Sequence, residues 1–546
     1  MDRKHQLGKL RTEKFDICII GAGASGSGAV LDAVLRGFKV ALIDKNDFCA
    51  ETSSKSTKLI HGGVRYLERA FKQLDLEQLR QVRHGLHERK TLLTIAPHLA
   101  KPIPLITPVF SWFEGMYYSI GLKLYGMFAA GDGLPSAKWL SKADTLKRMP
   151  GLTEKMHSSV LYYDGTFNDA GFSLAMVSSA ELKGAIVANY VSLKDFEKNV
   201  EGKLTKALVK DEISGENFEI DAKLFINCTG PFSDDVRLMA DKDEESRMRP
   251  SKGVHFVFPS EFMKGEDAML IPETKDGRVV FVKPIGNKIT VGTTDTAYSD
   301  MANEPILESE EVDYLLETVN PFLEKPLERK DITSGFGGVR PLLAPKSSKR
   351  KETKALLRDH EVEYLPESGL LSLLGGKWTT YRVMAKDVID YAGELLNKQA
   401  ECVTANHKLV GAQNAAFLMD VYKVKASKLL SEDTVNHLYE NYGDLSLEVL
   451  MLVEREAGLS EKLHPDYPFI LAEAAFAVKR EMATKLRDFF ARRIRMELLD
   501  WEATKASIDK VAPIFQRNLA WSEEEMTAYK KEYADLLDKF QKVSGI

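Results

Sequence analysis

Residues 15–44 read FDICIIGAGASGSGAVLDAVLRGFKVALID and decide the fold. An apolar run, Ile17–Ile20, predicts a buried strand that leads directly into a G-x-G-x-x-G turn. Apolar residues then recur at helical spacing, and a second apolar run, Val40–Ile43, ends at Asp44. Strand, glycine turn, helix, strand and acid in this order form a complete βαβ dinucleotide-binding unit, so we expect an α/β fold with a Rossmann-like domain.

The three glycines of this turn have different expected roles. Gly21 permits the tight turn, Gly23 lets a pyrophosphate approach the backbone, and Gly26 lets helix and strand pack closely. The helix N-terminus offers free N–H groups to the pyrophosphate, and Asp44 is placed to accept hydrogen bonds from the adenosine ribose. We therefore expect cofactor contacts from Gly21, Gly23, Ala24, Ser25, Gly26, Asp44 and Lys45.

Composition limits the class of protein. A chain of 546 residues with 44% hydrophobic and 28% charged residues is typical of a globular protein with two or three domains. Its net charge of −5 gives no general attraction to nucleic acid, and none is expected as a partner. The four cysteines include no C-x-x-C pair, which argues against disulfides or a metal site and favours a reducing cytoplasm. No secretory signal and no membrane-spanning apolar run is present.

The cofactor is expected to be FAD, bound without a covalent link, and not NAD. In a nicotinamide dehydrogenase, strands and helices of the nucleotide domain usually alternate without interruption. Here the alternation stops soon after Asp44, and nucleotide-type glycine turns return only at Thr229-Gly230 and Gly375-Gly376. A cofactor domain assembled from distant segments suits an extended flavin nucleotide. We expect a discontinuous FAD domain (15–90, 155–235 and 335–400), a substrate-binding cap (91–154 and 236–334) and a helical domain (401–546).

Residues 53–67, SSKSTKLIHGGVRYL, closely resemble the motif of the FAD-dependent glycerol-3-phosphate dehydrogenases, which are flavin- and quinone-linked enzymes of glycerol metabolism. Further blocks similar to that family follow in order: NCTGP at 227–231, KGVH at 252–255, GTTD at 292–295, GVRPL at 338–342 and GGKWTTYR at 375–382. The resemblance implies an FAD domain of the glutathione-reductase or D-amino-acid-oxidase type, an inserted mixed-sheet substrate domain and a C-terminal all-helical domain.

The resemblance also implies a substrate, sn-glycerol 3-phosphate, and its oxidation to dihydroxyacetone phosphate with electrons passed to a membrane quinone. Binding the phosphate needs cations, and the planar guanidinium of arginine matches phosphate oxygens. The residues expected at the substrate are Arg65, Tyr66, Thr294, Arg340, Arg358 and Lys377.

His255 is the expected general base, because an imidazole titrates near neutral pH. In its strand it alternates with Val254 and Phe256 and so points to the opposite face. A structural histidine is the alternative. Arg340 is the second catalytic candidate, since its charge would stabilise a developing alkoxide. His61, beside Gly62, is a weaker candidate base and is expected at the flavin ring.

Other FAD contacts are expected from four places. Hydroxyl and amine groups just after the second strand suit the pyrophosphate and ribityl chain. A backbone group at Val191 suits adenine. Glycine turns let the backbone come close to the cofactor. The helix that begins near Thr379 would stabilise reduced flavin by its dipole. These residues are Thr52, Ser53, Ser56, Lys58, His61, Gly62, Gly63, Val191, Thr229, Gly230, Gly376, Lys377 and Thr379.

Two segments have an unusual composition. One is apolar and aromatic with few charges, and the other places basic residues beside aromatic ones. Trp112–Ala130 contains only Glu114 and Lys123 as charged residues, and Lys479–Arg495 places four cations beside two phenylalanines: Lys485, Arg492, Arg493, Arg495, Phe489 and Phe490. This composition suits peripheral attachment to a membrane, expected at its inner, cytoplasmic face. The alternative is a buried helix and a solvated basic face. Oligomeric state stays open, with a homodimer as one option.

Three rival functions share parts of this pattern. A glycerol-3-phosphate oxidase would pass electrons to O₂ and make hydrogen peroxide; some such oxidases carry a long insertion between Arg340 and Gly369, where this chain has a short linker. A flavin-dependent amine or amino-acid oxidase fits the HGGVRY block less well. A flavin-binding sensor without turnover would not need both a base and several phosphate-binding cations.

Overall fold

The structure is a computed structural model that describes residues 1–63, 76–128, 133–274, 277–344 and 360–546. In this part of the chain the strands form two mixed sheets, and the C-terminal region is helical. The strands are Lys14–Ile20 (β1), Val40–Ile43 (β2), Leu59–Ile60 (β3), Ala100–Val109 (β4), Lys138–Ser141 (β5), Ser158–Phe167 (β6), Ile186–Ala188 (β7), Val191–Lys198 (β8), Leu204–Asp211 (β9), Asn217–Asn227 (β10), Ser251–Pro259 (β11), Ala268–Ile271 (β12), Val280–Ile285 (β13), Lys288–Gly292 (β14), Thr296–Ala297 (β15), Ser334–Arg340 (β16), His360–Leu365 (β17) and Leu370–Gly375 (β18).

Helices connect and cover these strands. They are Arg3–Thr12 (α1), Ala24–Leu35 (α2), Leu76–Ile95 (α3), Trp112–Phe128 (α4), Lys142–Arg148 (α5), Asp169–Leu182 (α6), Ser233–Ala240 (α7), Ser309–Val319 (α8), Tyr381–Leu395 (α9), Ala415–Ala426 (α10), Glu432–Tyr442 (α11), Ser446–Arg455 (α12), Leu471–Arg480 (α13), Met496–Leu499 (α14), Trp501–Leu519 (α15) and Glu523–Ser544 (α16).

The first sheet has the order β17-β18-β10-β1-β2-β7, and β8 and β9 extend it from β10. Strands β18, β10, β1, β2 and β7 are parallel neighbours. Carboxyl ends of parallel strands meet at one edge of a sheet. The glycine turn after β1, Asp44 after β2, Thr229 after β10 and Gly376 after β18 therefore share that edge, although more than three hundred residues separate the first from the last.

The second sheet has the order β15-β11-β14-β13-β12-β4-β6-β3, with β16 paired to β11 and β5 to β6. Strand β11 alternates as expected: Val254, Phe256 and Phe258 are fully buried in the core beneath this sheet, and His255 points to the other face. Strands β6 and β16 also belong here, although we expected 155–235 and 335–400 to lie in the FAD domain. Local sequence does not reveal which sheet a strand joins; β6 joins this one by pairing along all of β4.

Residues beyond 400 form a separate helical unit with its own buried cluster, which includes Phe489, Phe490 and Trp501. This burial shows that the expected lipid-binding patch at Lys479–Arg495 is wrong. Arg492 and Arg493 form buried ion pairs with Asp47 of the first domain, so the segment faces other parts of the chain. Sequence composition cannot distinguish an internal ion-pair cluster from a basic surface.

The cysteines and the chain before Val191 show two further local features. Cys18 and Cys228 are buried in the core, and all four cysteines are free. Tyr190 has a φ of +55° and separates β7 from β8. Among the described residues, no helix has both the length and the apolar character required to span a membrane.

Candidate active site

A cavity of about 540 Å³ lies between the two sheets. Its walls come from the shared edge of the first sheet, from the loop 44–63, and from β11 and β16 of the second sheet. The sequence-predicted residues that line it are Gly21, Gly23, Ala24, Ser25, Asp44, Lys45, Thr52, Ser53, Ser56, His61, Gly62, Gly63, Val191, Thr229, Gly230, His255, Arg340, Gly376, Lys377 and Thr379. The fold therefore brings both the expected cofactor residues and the expected catalytic pair to one space.

The glycine turn leaves no room for side chains at two positions. Gly21 has a φ of +99°, and a Cβ there would lie 2.7 Å from the carbonyl oxygen of Cys228. A Cβ on Gly26 would lie 1.8 Å from the carbonyl oxygen of Gly21. Gly26 does not line the cavity, where we expected it to contact the cofactor. Its close approach to the carbonyl of Gly21 suits its other expected role, the packing of α2 against β1.

Asp44 is held rigidly in the cavity wall. Its carboxylate accepts hydrogen bonds from the backbone N–H of Ala22 at 2.7 Å and of Asn46 at 2.9 Å. Burial raises the pKa of this carboxyl to about 6, although these hydrogen bonds favour the charged form. A fixed acid beside the N-terminus of α2 suits a ribose next to a pyrophosphate.

Three loops around the cavity are pinned by hydrogen bonds across the fold. Thr52 Oγ1 donates to the carbonyl of Val339 at 2.6 Å, and the indole N–H of Trp378 donates to the carbonyl of Ser53 at 2.9 Å. The N–H of Gly62 donates to the hydroxyl of Tyr125 at 2.7 Å. The walls of the cavity are therefore fixed by contacts between segments that are distant in sequence.

His255 lines the cavity with a buried imidazole. Its Nε2 lies 3.0 Å from Thr57 Oγ1, and its Nδ1 has no hydrogen-bond partner in the described part of the chain. Burial lowers the pKa of His255 well below its ordinary value, and the nearby charges of Lys58, Arg340 and Lys283 lower it further. The imidazole is therefore neutral at physiological pH. The near-neutral titration on which we based its assignment as general base is absent.

Arg340 lies at the end of β16 with its guanidinium held against β11 and the segment after β14. Nη1 donates to the carbonyl of Lys252 at 3.2 Å and approaches Asp295 at 3.4 Å. Nη2 donates to Thr293 Oγ1 at 3.0 Å and to the carbonyl of Thr294 at 2.8 Å. These contacts hold the planar guanidinium of Arg340, and its positive charge, in one position in the cavity wall.

Some expected site residues lie elsewhere. Lys58 is buried behind the cavity wall, where its ammonium contacts Asp169 at 3.0 Å and the carbonyl of Ser54 at 2.8 Å, so it supports the loop from within. Thr294 is also off the cavity, because its hydroxyl accepts from the N–H of Val254 at 3.1 Å. Arg65, Tyr66 and Arg358 lie outside the described residues.

The cavity also contains residues that sequence reasoning missed. Thr57 and Thr293 adjoin predicted residues within the family-like blocks, so their position in those blocks was an available signal. Trp378 lies in the last of these blocks. Phe281, whose ring centroid is 6.1 Å from that of His61, sits on β13 and had no such signal.

The lining residues fit FAD. The cavity has residues of both sheets in its walls. A fixed acid, a glycine turn at the start of a helix and loops after several parallel strands meet there, as in dinucleotide sites. The buried Nδ1 of His255 has no hydrogen-bond partner among the described residues. Buried polar atoms normally have one, so this atom suits a site in which a bound molecule supplies the partner. In the described part of the chain, no group of three or more His, Cys, Asp or Glu side chains is arranged to hold a metal ion.

Two family models and several curated proteins match this chain. The family model for FAD dependent oxidoreductase matches residues 16–382, and the model for the C-terminal domain of alpha-glycerophosphate oxidase matches residues 402–526. The mitochondrial glycerol-3-phosphate dehydrogenase of Bos taurus is 39% identical over 538 residues, which cover 95% of this chain and 73% of that protein.

Solved structures show the same fold. The glycerol-3-phosphate dehydrogenase from Bacillus halodurans, complexed with FAD, superposes with a TM-score of 0.79 at 26% identity, covering 99% of this chain and 97% of that one. The L-alpha-glycerophosphate oxidase from Mycoplasma pneumoniae superposes with a TM-score of 0.54 at 16% identity, covering 72% of this chain and 98% of that one, which shows the fold alone. The chain therefore belongs to the FAD-dependent oxidoreductases, within the family of the glycerol-3-phosphate dehydrogenases, and its cofactor is FAD.

Proposed function

We propose that this protein oxidises sn-glycerol 3-phosphate to dihydroxyacetone phosphate and passes the electrons to a membrane quinone in glycerol catabolism. The main support is the meeting of a neutral, buried His255 with the cations Arg340 and Lys377 on the cavity that also carries the FAD-binding residues. The names of the relatives point to the same substrate.

Oxidation of the C2 alcohol breaks two bonds to hydrogen. Bound FAD supplies the acceptor for the hydride, which leaves carbon with the electron pair of its bond. The hydroxyl proton goes to a base on the protein, and the carbonyl of the product remains. His255 is the base that we propose, since a neutral imidazole has one ring nitrogen with a lone pair for this proton. Thr57, 3.0 Å from Nε2, orients the ring.

The fixed charge of Arg340 has two proposed effects. It stabilises negative charge on the substrate oxygen during proton loss, and it attracts the phosphate dianion into the cavity. Lys377 is the proposed direct phosphate ligand among the described residues, and Arg65, Tyr66 and Arg358 remain predicted ligands. Thr293, whose hydroxyl is bonded to Arg340, replaces Thr294 in this proposed substrate site.

A membrane quinone requires access from the bilayer, and helix α4 is the proposed contact. Trp112, Phe113, Ile120 and Met127 on this helix are each more than half exposed. Leu122 and Tyr125 on its other side are buried. An exposed patch of large apolar side chains on an amphipathic helix suits shallow insertion between lipid headgroups. We propose peripheral attachment at the inner face of the membrane through this surface.

Anaerobic mixing of the holoenzyme with glycerol 3-phosphate tests the reaction. Bleaching of the oxidised flavin absorbance supports the proposal, and unchanged absorbance at saturating substrate contradicts it. L-Proline and glycine serve as control substrates, since bleaching by either would indicate an amino-acid oxidase.

The acceptor is tested separately with the reduced enzyme. Rapid reoxidation by a soluble quinone with slow reaction in O₂ supports the dehydrogenase. Rapid reoxidation by O₂ with stoichiometric hydrogen peroxide would favour an oxidase, a candidate kept open because the C-terminal family model is named for alpha-glycerophosphate oxidase.

A further inference from the structure

The segment 487–493 of the C-terminal domain directs charged side chains at the loop that lines the FAD cavity. Its last six residues, Asp488–Arg493, form a buried π-helical turn. Arg492 Nε donates to Asp47 at 2.6 Å, and Arg493 donates to the same carboxylate at 2.6 and 3.0 Å. Asp47 is fully buried and lies three residues after Asp44, the acid expected at the ribose. These contacts hold the first part of the loop 44–58.

Arg487 reaches the second part of the same loop through an intermediate acid. Its guanidinium donates to both oxygens of Glu304, at 2.6 and 2.8 Å, and to both oxygens of Glu497, at 2.9 and 3.0 Å. Glu304 in turn accepts from the ammonium of Lys55, whose side chain is only 9% exposed and lines the FAD cavity. Lys55 and Arg487 therefore share one carboxylate that belongs to a third segment.

Glu304 belongs to the segment 298–305, which lies beside this loop. A second cavity of about 260 Å³ lies between this segment and Lys45, Thr52 and Phe232, all of which also line the FAD cavity. Fixing Glu304 thus fixes both Lys55 and the neighbouring wall of the cofactor site.

The charges in this cluster are strongly coupled. Burial opposes ionisation of Glu304, but the charges of Arg487 and Lys55 outweigh it and hold the pKa of this carboxyl well below its ordinary value. Removing one partner from a buried charge cluster leaves an uncompensated charge, so the arrangement depends on Lys55, Glu304 and Arg487 together with Glu497.

We propose that Arg487 is a positioning residue for FAD, acting through Glu304 on Lys55 and the loop 44–58. The C-terminal helical domain therefore takes part in cofactor retention, although it contributes no described side chain to the FAD cavity. The proposal requires bound FAD and is independent of the identity of the substrate.

The test is the rate at which the full-length holoenzyme releases FAD on dilution, followed by the rise of flavin fluorescence. Arg487→Gln and Glu304→Gln are each expected to release FAD about tenfold faster or more, because each breaks a charge-assisted bidentate contact. Arg487→Lys keeps the charge but loses the fork, so its rate is expected between those of the wild type and Arg487→Gln.

Two controls separate positioning from general loss of stability. Arg480→Gln makes the same charge change on α13, where Arg480 pairs with Glu448 inside the C-terminal domain. Leu450→Ala removes a buried side chain from that domain's core without touching Glu304 and lowers its thermal midpoint. The proposal predicts that Arg480→Gln releases FAD at the wild-type rate. It predicts that Leu450→Ala releases FAD more slowly than Arg487→Gln does.

The proposal is overturned if Arg487→Gln and Glu304→Gln both keep wild-type FAD release, or if Leu450→Ala releases FAD as fast as they do. If Arg487→Gln does not fold, Lys55→Met and Glu304→Gln carry the test. Lys55 and Glu304 lie outside the C-terminal core, and unchanged release in both would be equally decisive.

Discussion

The imidazole of His255 stacks on the ring of Phe336, with centroids 4.7 Å apart and planes inclined by 13°. The ammonium of Lys58 lies 4.9 Å from the centroid of the same ring. Phe336 on β16 thus contacts both the proposed base and a buried cation. Burial first, and this cation second, keep the pKa of His255 well below its ordinary value. The ring is therefore held neutral, and the lowered pKa makes it a weaker base than a free imidazole.

His255→Asn is expected to slow flavin reduction far more than it weakens substrate binding, because the amide keeps a similar size but cannot accept the proton. Anaerobic stopped-flow over a range of glycerol 3-phosphate concentrations separates the two effects. In the wild type, the reduction rate should stay constant as pH falls to 6.5, since the lowered pKa keeps the ring neutral. His157→Asn, away from the cavity, is the control. An unchanged reduction rate in His255→Asn would move the base assignment elsewhere.

Arg340→Ala is expected to lower kcat/KM for the proposed substrate about 100-fold, equivalent to roughly 3 kcal/mol of transition-state stabilisation. FAD should stay bound, because the hydrogen bonds of Arg340 run to β11 and to the segment after β14, away from the glycine turn. Steady-state kinetics together with flavin content per chain check this. Arg329→Ala, whose guanidinium pairs with Asp313, is the control. Near-normal kinetics in Arg340→Ala would remove this residue from the site.

Asp44 should make FAD binding depend on pH. Burial raises the pKa of this carboxyl to about 6, so it loses its charge as pH falls through that value. A protonated carboxyl is a poorer acceptor for ribose hydroxyls, and FAD affinity of the apoprotein is expected to fall in the same range. Asp44→Asn should bind FAD more weakly and show no such dependence. Titration with FAD at several pH values measures both, with Asp195→Asn on β8 as control. A pH-dependent affinity that persists in Asp44→Asn would contradict the assignment.

His98 should make stability depend on pH. It is packed against Gly411 and Gly443, where added Cβ atoms would lie 2.5 and 3.0 Å from its ring. Burial, with a smaller effect of Lys101, lowers its pKa from 6.5 to about 4. Between these values the unfolded chain binds a proton that the native state does not. Stability should therefore fall by up to about 3 kcal/mol as pH drops through this interval.

Urea unfolding at several pH values measures this decline, and His98→Gln should make it shallower by removing one titrating group. His157→Gln is the matched control and should retain the wild-type slope. A slope that is the same in His98→Gln and wild type would exclude His98 as its source.

The proposed membrane surface predicts a loss of vesicle binding in Phe113→Ser and Ile120→Ser, because each removes exposed apolar area from α4. Sedimentation with anionic phospholipid vesicles measures binding. Val424→Ser, also an exposed apolar residue on a helix, is the control and should bind as the wild type. If both α4 variants bind vesicles normally but shift the sedimentation coefficient of a dimer to that of a monomer, this face joins two copies of the chain.

Much of the site was predictable because its signals are local. The glycine turn, Asp44 and the alternation around His255 depend on residues that are neighbours in sequence. Gly21, Gly23, Asp44 and His255 line the cavity, and Gly26 does not. The prediction that Lys58 contacts FAD was wrong, because it faces Asp169 behind the cavity wall. The sequence around a lysine looks the same whether its side chain faces the cavity or a buried acid. Lys479–Arg495 was misread for a similar reason, since its acidic partner Asp47 is over four hundred residues away.

The sequence by itself determined the nucleotide-binding unit, because its strand, turn and helix patterns are encoded by contiguous residues. It also indicated FAD, through glycine turns that return far along the chain, and the family, through blocks that resemble the glycerol-3-phosphate dehydrogenases. Only the tertiary structure decided which strands form each sheet, which cations face the cavity and which are buried, and how the C-terminal domain contacts the cofactor loop. Those features depend on pairing between distant segments, such as β11 with β16 and Arg487 with Glu304. Burial and charge pairing are set by the whole fold, and no single stretch of sequence contains them.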